Sequence, residues 1–196
     1  PYRHTQATRP PKGTSIERRP KIIGTRQTFG HWELDSVIGK SKGKNQSLLV
    51  LTERKTRCEL ILRAQGKTSA ATVQALNQLF PAFPVGTFKT ITVDNGSEFQ
   101  DCHGIEHDTN GNKRLTVYYC HPYTSCERGS NERNNRIIRR YLPKGQSLRN
   151  ITQTDCDRIA AAINDMPRKI LGYATAKELF DKEIAALLAA QSAPSP

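Results

Sequence analysis

The sequence has no long apolar stretch. Its longest uninterrupted run of Leu, Ile and Val, residues 48–51, is far shorter than the roughly 20 apolar residues that a membrane-spanning helix needs. The N-terminus has basic residues but no apolar segment behind them, which argues against a secretory signal peptide, and it has no initiating methionine. We therefore expect no transmembrane segment, and we expect the chain to be a piece of a longer protein.

Cysteine is sparse and irregularly spaced. The five cysteines are an odd number, which argues against a framework of disulfides and favours a reducing compartment, the cytoplasm. Cysteine and histidine crowd into residues 102–126, but no Cys pair with the spacing of a zinc site accompanies His103 and His107. Buried thiols and surface imidazoles are therefore favoured over structural zinc, which stays open as an alternative.

Positive charge is distributed unevenly. The chain carries a formal net charge of +12, and residues 1–28 and 128–149 each hold seven basic side chains and one acid. The remainder is neutral overall. Two basic segments on a neutral body indicate a polyanionic partner, most commonly nucleic acid, although a solvated charged face is the simpler alternative.

The 196 residues, 36% of them hydrophobic, are enough for one folded domain. We expect residues 1–28 to form a basic arm or linker, residues 29–190 to form the domain with its C-terminal helices, and residues 191–196 to be a disordered tail. Apolar periodicity predicts strands over 31–38, 47–52, 57–62, 88–93 and 115–120, helices over 69–80, 130–142, 154–164 and 175–190, and a polar loop over 101–114.

The predicted helix over residues 130–142 has two unlike faces. At 100° per residue its apolar side chains share one sector, while Glu132, Arg136 and Arg139 lie almost opposite. We expect the first face to pack on the domain and the second to present a carboxylate beside arginines.

Three acidic residues lie where a strand or a helix would direct their side chains. Asp35 is inside the first strand, where a charge is costly unless it is paired or bound to a cation. Asp94 ends another strand, and Glu132 lies in the first turn of the basic helix, where the helix dipole favours its ionised form. Three hard oxygen donors beside a basic surface suit a pair of Mg²⁺ or Mn²⁺ ions acting on phosphodiesters, although each acid taken singly is more often structural.

Three blocks containing these acids occur in a distinctive order. They read FGHWELDSVIG (29–39), TVDNGSEF (92–99) and HPYTSCERGSNE (121–132). They resemble the catalytic blocks of bacterial insertion-sequence transposases of the IS-thirty family, and residues 168–173 resemble that family's C-terminal signature. The resemblance covers residues 15–184 and implies an α/β fold of the ribonuclease H-like type, the integrase core, with a mixed five-stranded sheet flanked by helices.

The resemblance also implies a site. Asp35, Asp94 and Glu132 match the family's catalytic and metal-binding triad, which takes Mg²⁺ or Mn²⁺, two ions once substrate is bound. Glu127 is a rival for the third carboxylate, and Glu98 fits a turn or supporting acid better than a ligand. We expect DNA contacts from the basic residues Arg18, Arg19, Arg128, Arg136, Arg139 and Lys144.

The function that the resemblance implies is that of a DNA transposase catalytic domain, which cleaves DNA at element ends and transfers the strand to target DNA. Copies of the chain are expected to assemble on DNA in the bacterial cytoplasm, at the nucleoid, with no membrane partner. Two alternatives stay open at this point. One is a ribonuclease H-like nuclease that only hydrolyses, and the other is a nucleic-acid-binding domain without catalysis.

Overall fold

The computed structural model describes residues 13–39, 46–121, 131–143, 145 and 147–192, with the helical backbone alone for residues 131–135. Within these ranges the chain forms a sheet of six strands in the order β1-β6-β5-β2-β3-β4. The strands are β1 (Thr14–Ser15), β2 (His31–Ile38), β3 (Ser47–Glu53), β4 (Glu59–Ala64), β5 (Thr90–Val93) and β6 (Thr116–Tyr119). The β2-β3-β4 meander is antiparallel, whereas β1, β6, β5 and β2 run parallel to one another.

The sheet has one strand more than the five predicted. The additional strand is β1, whose two residues pair in parallel with Tyr118 and Tyr119 of β6. A strand of two residues in a segment rich in Pro and Arg has no apolar alternation by which it could be predicted. Part of the predicted basic arm therefore packs on the domain, as the nearly complete burial of Ile23 also shows, and the division of the chain at residue 28 stays a prediction.

Six α-helices occur in the described ranges. They are α1 (Lys21–Gly24), α2 (Ser69–Leu79), α3 (Cys102–Glu106), α4 (Asn131–Tyr141), α5 (Gln153–Asn164) and α6 (Ala176–Ser192). As predicted, α2 begins after Thr68, whose hydroxyl accepts a hydrogen bond from the backbone N–H of Ala71. The prediction of a loop over residues 101–114 is wrong for α3, because the Asp101 carboxylate caps a short helix by accepting from the N–H of Gly104 at 2.8 Å.

The C-terminal helix α6 continues two residues into the predicted tail. The side-chain amide of Gln191 donates to the carbonyl of Val85 at 2.8 Å, and the hydroxyl of Ser192 donates to the carbonyl of Leu188 at 2.9 Å. These contacts hold the last turn of the helix, while residues 193–196 lie outside the described ranges. No helix of the described ranges has both the length and the apolar character needed to cross a membrane.

Apolar side chains cover both faces of the sheet. On one face Leu34 of β2 packs in a cluster with Leu76 of α2 and Ile105 of α3. On the other face Val37 of β2 packs in a second cluster with Ile138 of α4 and with residues of α5. Full burial of a side chain such as Ile138 contributes about 1.5–3 kcal/mol, which is enough to fix α4 on this face.

Candidate active site

The two predicted aspartates lie level with each other near the centre of the sheet. Asp35 is in β2 and Asp94 directly follows β5, and these strands are parallel neighbours in which Glu33 is opposite Thr92. Continued by two residues, the same register brings Asp35 opposite Asp94. Because neighbouring strands are about 4.8 Å apart, this continued register would bring the backbones of the two aspartates close together, as the predicted triad needs.

Hydrogen bonds hold the loop that carries Asp94. Its Oδ1 accepts from the backbone N–H of Gly96 at 2.8 Å. The side-chain amide of Asn95 donates to the carbonyl oxygen of Cys120 at 2.7 Å, which ties the loop to the residue after β6. The position of the half-buried Asp94 carboxylate is therefore fixed by both its own turn and the neighbouring strand.

Helix α4 covers the face of the sheet to which Asp35 points. Successive side chains of a strand alternate between faces, so Asp35 is on the same face as Val37, which packs in the cluster that contains Ile138 of α4. Glu132 is the second residue of α4, and its side chain lies outside the described residues. The helix that carries the predicted third ligand thus lies on the same side of the sheet as the first.

Glu98 approaches the aspartates from the opposite face. It is buried, and its Oε1 accepts a hydrogen bond from the hydroxyl of Ser36 and lies 3.5 Å from Nζ of Lys67. Ser36 alternates with Asp35 and therefore points toward α2. This placement favours the supporting role expected for Glu98 over a ligand role. Sequence reasoning missed Ser36 and Lys67, since only a tertiary contact connects them to Glu98.

A buried polar cluster adjoins the aspartates on the α4 side of the sheet. Glu33 forms a buried ion pair with Arg54, and Nη1 of Arg19 donates to the hydroxyl of Thr92 at 3.0 Å. Burial, reinforced by nearby cations, lowers the pKa of His31 to about 4, so that its imidazole is neutral at pH 7. Sequence reasoning missed Arg54, because it lies in a stretch that reads only as a turn.

The predicted DNA contacts differ in their surroundings. Arg18 and Arg136 are exposed, whereas Arg19 and Arg139 are partly buried. Nη2 of Arg139 donates to the carbonyl oxygen of Ile38 at 3.1 Å. Arg128 and Lys144, together with the rival ligand Glu127, lie outside the described residues. A role in DNA binding stays a prediction for all six basic residues.

The donors present suit a hard divalent cation. Mg²⁺ and Mn²⁺ prefer carboxylate oxygens, which Asp35 and Asp94 supply. The described side chains contain no group of three His, Cys, Asp or Glu that could hold a metal ion. The side chain of Glu132 is not among them, so the triad as a whole stays a prediction, in which Asp35 and Asp94 are related by the register of β2 and β5.

Comparison with known proteins gives named relatives for most of the chain. No model of a protein family matches the sequence. The probable transposase of the insertion-like sequence element IS1161 from Streptococcus salivarius is 40% identical over 169 residues, which are 86% of this chain and 46% of that protein. The InsI transposase of element IS30C from Escherichia coli K12 is 38% identical over 173 residues, 88% of this chain and 43% of that protein. The chain thus spans less than half the length of these relatives.

A solved structure has the same fold. A chain of the simian T-cell lymphotropic virus intasome, in complex with the PP2A regulatory subunit B56 gamma, superposes with a TM-score of 0.58 over 76% of this chain and 53% of that one, at 16% identity. The predicted fold class is therefore confirmed as the ribonuclease H-like fold of integrase cores. This fold accompanies 35–40% identity to several transposases over most of the chain, so the chain is similar to insertion-sequence transposases of the IS30 family over the part of their length that it covers.

Proposed function

We propose that the chain is the catalytic domain of a DNA transposase, which cleaves DNA at the ends of its element and joins the freed 3′-hydroxyl to target DNA. Asp35, Asp94 and Glu132 are the residues that would hold Mg²⁺ or Mn²⁺, two ions when DNA is bound. The observation that carries this proposal is the parallel register of β2 and β5, which, continued by two residues, brings Asp35 level with Asp94 on the side of the sheet that α4 covers.

The bound ions would supply an activated water or 3′-hydroxyl and stabilise the leaving oxygen of the phosphodiester. The contribution of the chain is to fix the carboxylates. Asp35 is in a strand that has a paired neighbour on each side. The Asp94 carboxylate accepts from the backbone N–H of Gly96, and its loop is tied down by the bond that Asn95 donates to Cys120. Groups on such rigid elements keep their geometry within the narrow limits that a metal site requires. The reaction needs no covalent bond between DNA and a side chain.

The basic surface beside the aspartates is the expected path of the DNA backbone. Arg18 and Arg19 of the N-terminal segment, and Arg136 and Arg139 of α4, are the residues proposed to line this path. Contacts of this kind position DNA through its phosphates and do not by themselves read its sequence. Arg128 and Lys144 complete the proposed set, and two copies or more of the chain would assemble on the element ends.

A strand-transfer assay tests the proposal. Full-length transposase containing this chain is incubated with candidate end DNA, target DNA, and either Mg²⁺, Mn²⁺ or a chelator. We expect cleaved and joined products only with the divalent ions. Metal-dependent cleavage without joining would identify a hydrolytic nuclease, and binding without cleavage would identify a DNA-binding domain. Either outcome would overturn the proposal.

A further inference from the structure

The Glu98 carboxylate is connected to Asp35 through Ser36. Oε1 of Glu98 accepts from the Ser36 hydroxyl, and the backbone N–H of Ser36 donates to Oδ1 of Asp35 at 2.9 Å. The side chain of Ser36 points to one face of the sheet and that of Asp35 to the other. Ser36 therefore connects Glu98, on the α2 side of the sheet, to Asp35, on the α4 side.

The same carboxylate also borders the loop of Asp94. A Cβ placed on Gly96 would lie 2.7 Å from Oε2 of Glu98 and 2.8 Å from Oδ1 of Asp94, so both oxygens line one small space that only glycine leaves open. Oε2 is buried and has no hydrogen-bond partner among the described residues. Burial of an unpaired carboxylate oxygen is unfavourable, so its presence here calls for a role beyond stability.

We propose that Glu98 is a positioning residue, which fixes the relative placement of Asp35 and Asp94 by holding Ser36 on one side and bordering the Gly96 turn on the other. This inference rests on the proposed metal site. Lys67, 3.5 Å from Oε1, balances the charge of Glu98. Glu98 therefore acts through its neighbours and does not itself hold the cation, because it approaches from the α2 side of the sheet.

The test measures Mn²⁺ binding directly, by the electron paramagnetic resonance signal of free Mn²⁺ during titration of the protein, and also the Mn²⁺ concentration that half-saturates strand transfer. Glu98→Ala and Ser36→Ala are each expected to weaken Mn²⁺ binding about 10- to 100-fold. Because both remove the same link, the double variant should be no weaker than Glu98→Ala alone. Glu98→Gln keeps the acceptor for Ser36 and should bind Mn²⁺ nearly as the parent does.

A matched control separates positioning from loss of fold. Glu106 is a partly buried glutamate away from the aspartates in the fold's hydrogen-bond network, whose Oε1 accepts from the backbone N–H of Val117 at 2.8 Å. Glu106→Ala should lower the midpoint of thermal unfolding and leave Mn²⁺ affinity unchanged. Ser36→Ala removes only a hydroxyl, so it tests the link even where Glu98→Ala unfolds.

Two results would overturn the inference. Unchanged Mn²⁺ affinity in Ser36→Ala and Glu98→Ala would show that the link positions nothing, and equal loss in Glu98→Gln and Glu98→Ala would make Glu98 a ligand. A different result would show that the proposed metal site itself is wrong. In that case Asp35→Asn and Asp94→Asn would bind Mn²⁺ as well as the parent does.

Discussion

Arg139 of α4 donates a hydrogen bond from Nη2 to the carbonyl oxygen of Ile38, 3.1 Å away. Ile38 is the last residue of β2, the strand that contains Asp35. Together with the burial of Ile138, this contact fixes α4 to the end of that strand. Of the two arginines that helical spacing places opposite the apolar face, Arg136 is the exposed one, and Arg139 already has a structural partner.

We expect Arg136→Ala to weaken DNA binding and leave stability unchanged, because its side chain is exposed. Loss of one phosphate contact should reduce the slope of log affinity against log salt by about one unit. A salt titration of DNA binding measures both quantities. Arg140→Ala, exposed on α4 but off the Glu132 face, is the matched control and should change the slope less. Equal slopes for Arg136→Ala and the parent would leave Arg136 a purely solvating role.

The carboxylate substitutions Asp35→Asn, Asp94→Asn and Glu132→Gln should each abolish cleavage and joining while DNA binding stays largely intact. Each removes one anionic oxygen from the proposed metal site, whereas the basic contacts to phosphate remain. Gel assays of strand transfer and of binding check the two parts separately. Glu127→Gln is the control for the rival third ligand and should remain active. Near-normal strand transfer by one of the first three variants would exclude that residue from the triad.

Glu59 of β4 makes the stability of the fold depend on pH. Its Oε2 accepts from the Thr52 hydroxyl at 2.9 Å, and its Oε1 has no hydrogen-bond partner in the described part of the chain. Burial raises the pKa of Glu59 from 4.5 to about 8. Between pH 4.5 and about 8 the folded chain keeps a proton on Glu59 that the unfolded chain has lost. As pH rises through this range, the free energy of unfolding therefore falls by about 1.4 kcal/mol per pH unit.

Glu59→Gln should remove this dependence, because the amide is neutral at every pH. The contribution of Glu59 is intact below about pH 4.5 and is lost as pH rises through about 8. The free energy of unfolding of the variant should therefore increase steadily relative to that of the parent between these limits. Urea unfolding from pH 5 to 9 measures the difference. Glu17→Gln, at an exposed glutamate, should follow the parent curve. A constant difference between Glu59→Gln and the parent would contradict the raised pKa.

Asn164 of α5 protects the edge strand β4. Its Oδ1 accepts from the backbone N–H of Glu59 at 2.8 Å, and its Nδ2 donates to the Glu59 carbonyl at 2.9 Å. Asn164→Ala leaves both buried backbone groups unpaired, so we expect the free energy of unfolding to fall by about 2 kcal/mol or more. Urea unfolding and hydrogen exchange at the Glu59 amide measure this effect.

Gln153 provides the comparison for Asn164. It makes similar contacts to Ile61 and Arg63 at the other end of α5, but in a more exposed setting. Gln153→Ala should therefore cost less stability than Asn164→Ala. Faster aggregation of Asn164→Ala is also expected, because an uncovered edge strand is a template for pairing with another chain. Equal stability of Asn164→Ala and the parent would refute the protective role.

The features that could be predicted are local in sequence. Short stretches rich in Val, Ile, Leu and Trp between turn residues indicate β2 to β4, the hydroxyl of Thr68 marks the start of α2, and the block around Asp94 singles out that residue. The register that brings Asp35 opposite Asp94 is a tertiary property that no local pattern contains. The same is true of the link from Glu98 to Ser36, and α3 is too short to show a helical period.

The strand β1 also implies an order of events during synthesis of the protein. Thr14 leaves the ribosome before its partner Tyr118, which follows about one hundred residues later, and at cellular rates of translation this is a delay of roughly 5–20 s. The space beside β6 that receives β1 is narrow, since a Cβ on Gly13 would lie 2.5 Å from the ring of Tyr119. The strand β1 is therefore among the last of the described strands to join the sheet, and until it joins, the edge of β6 is open on the nascent domain.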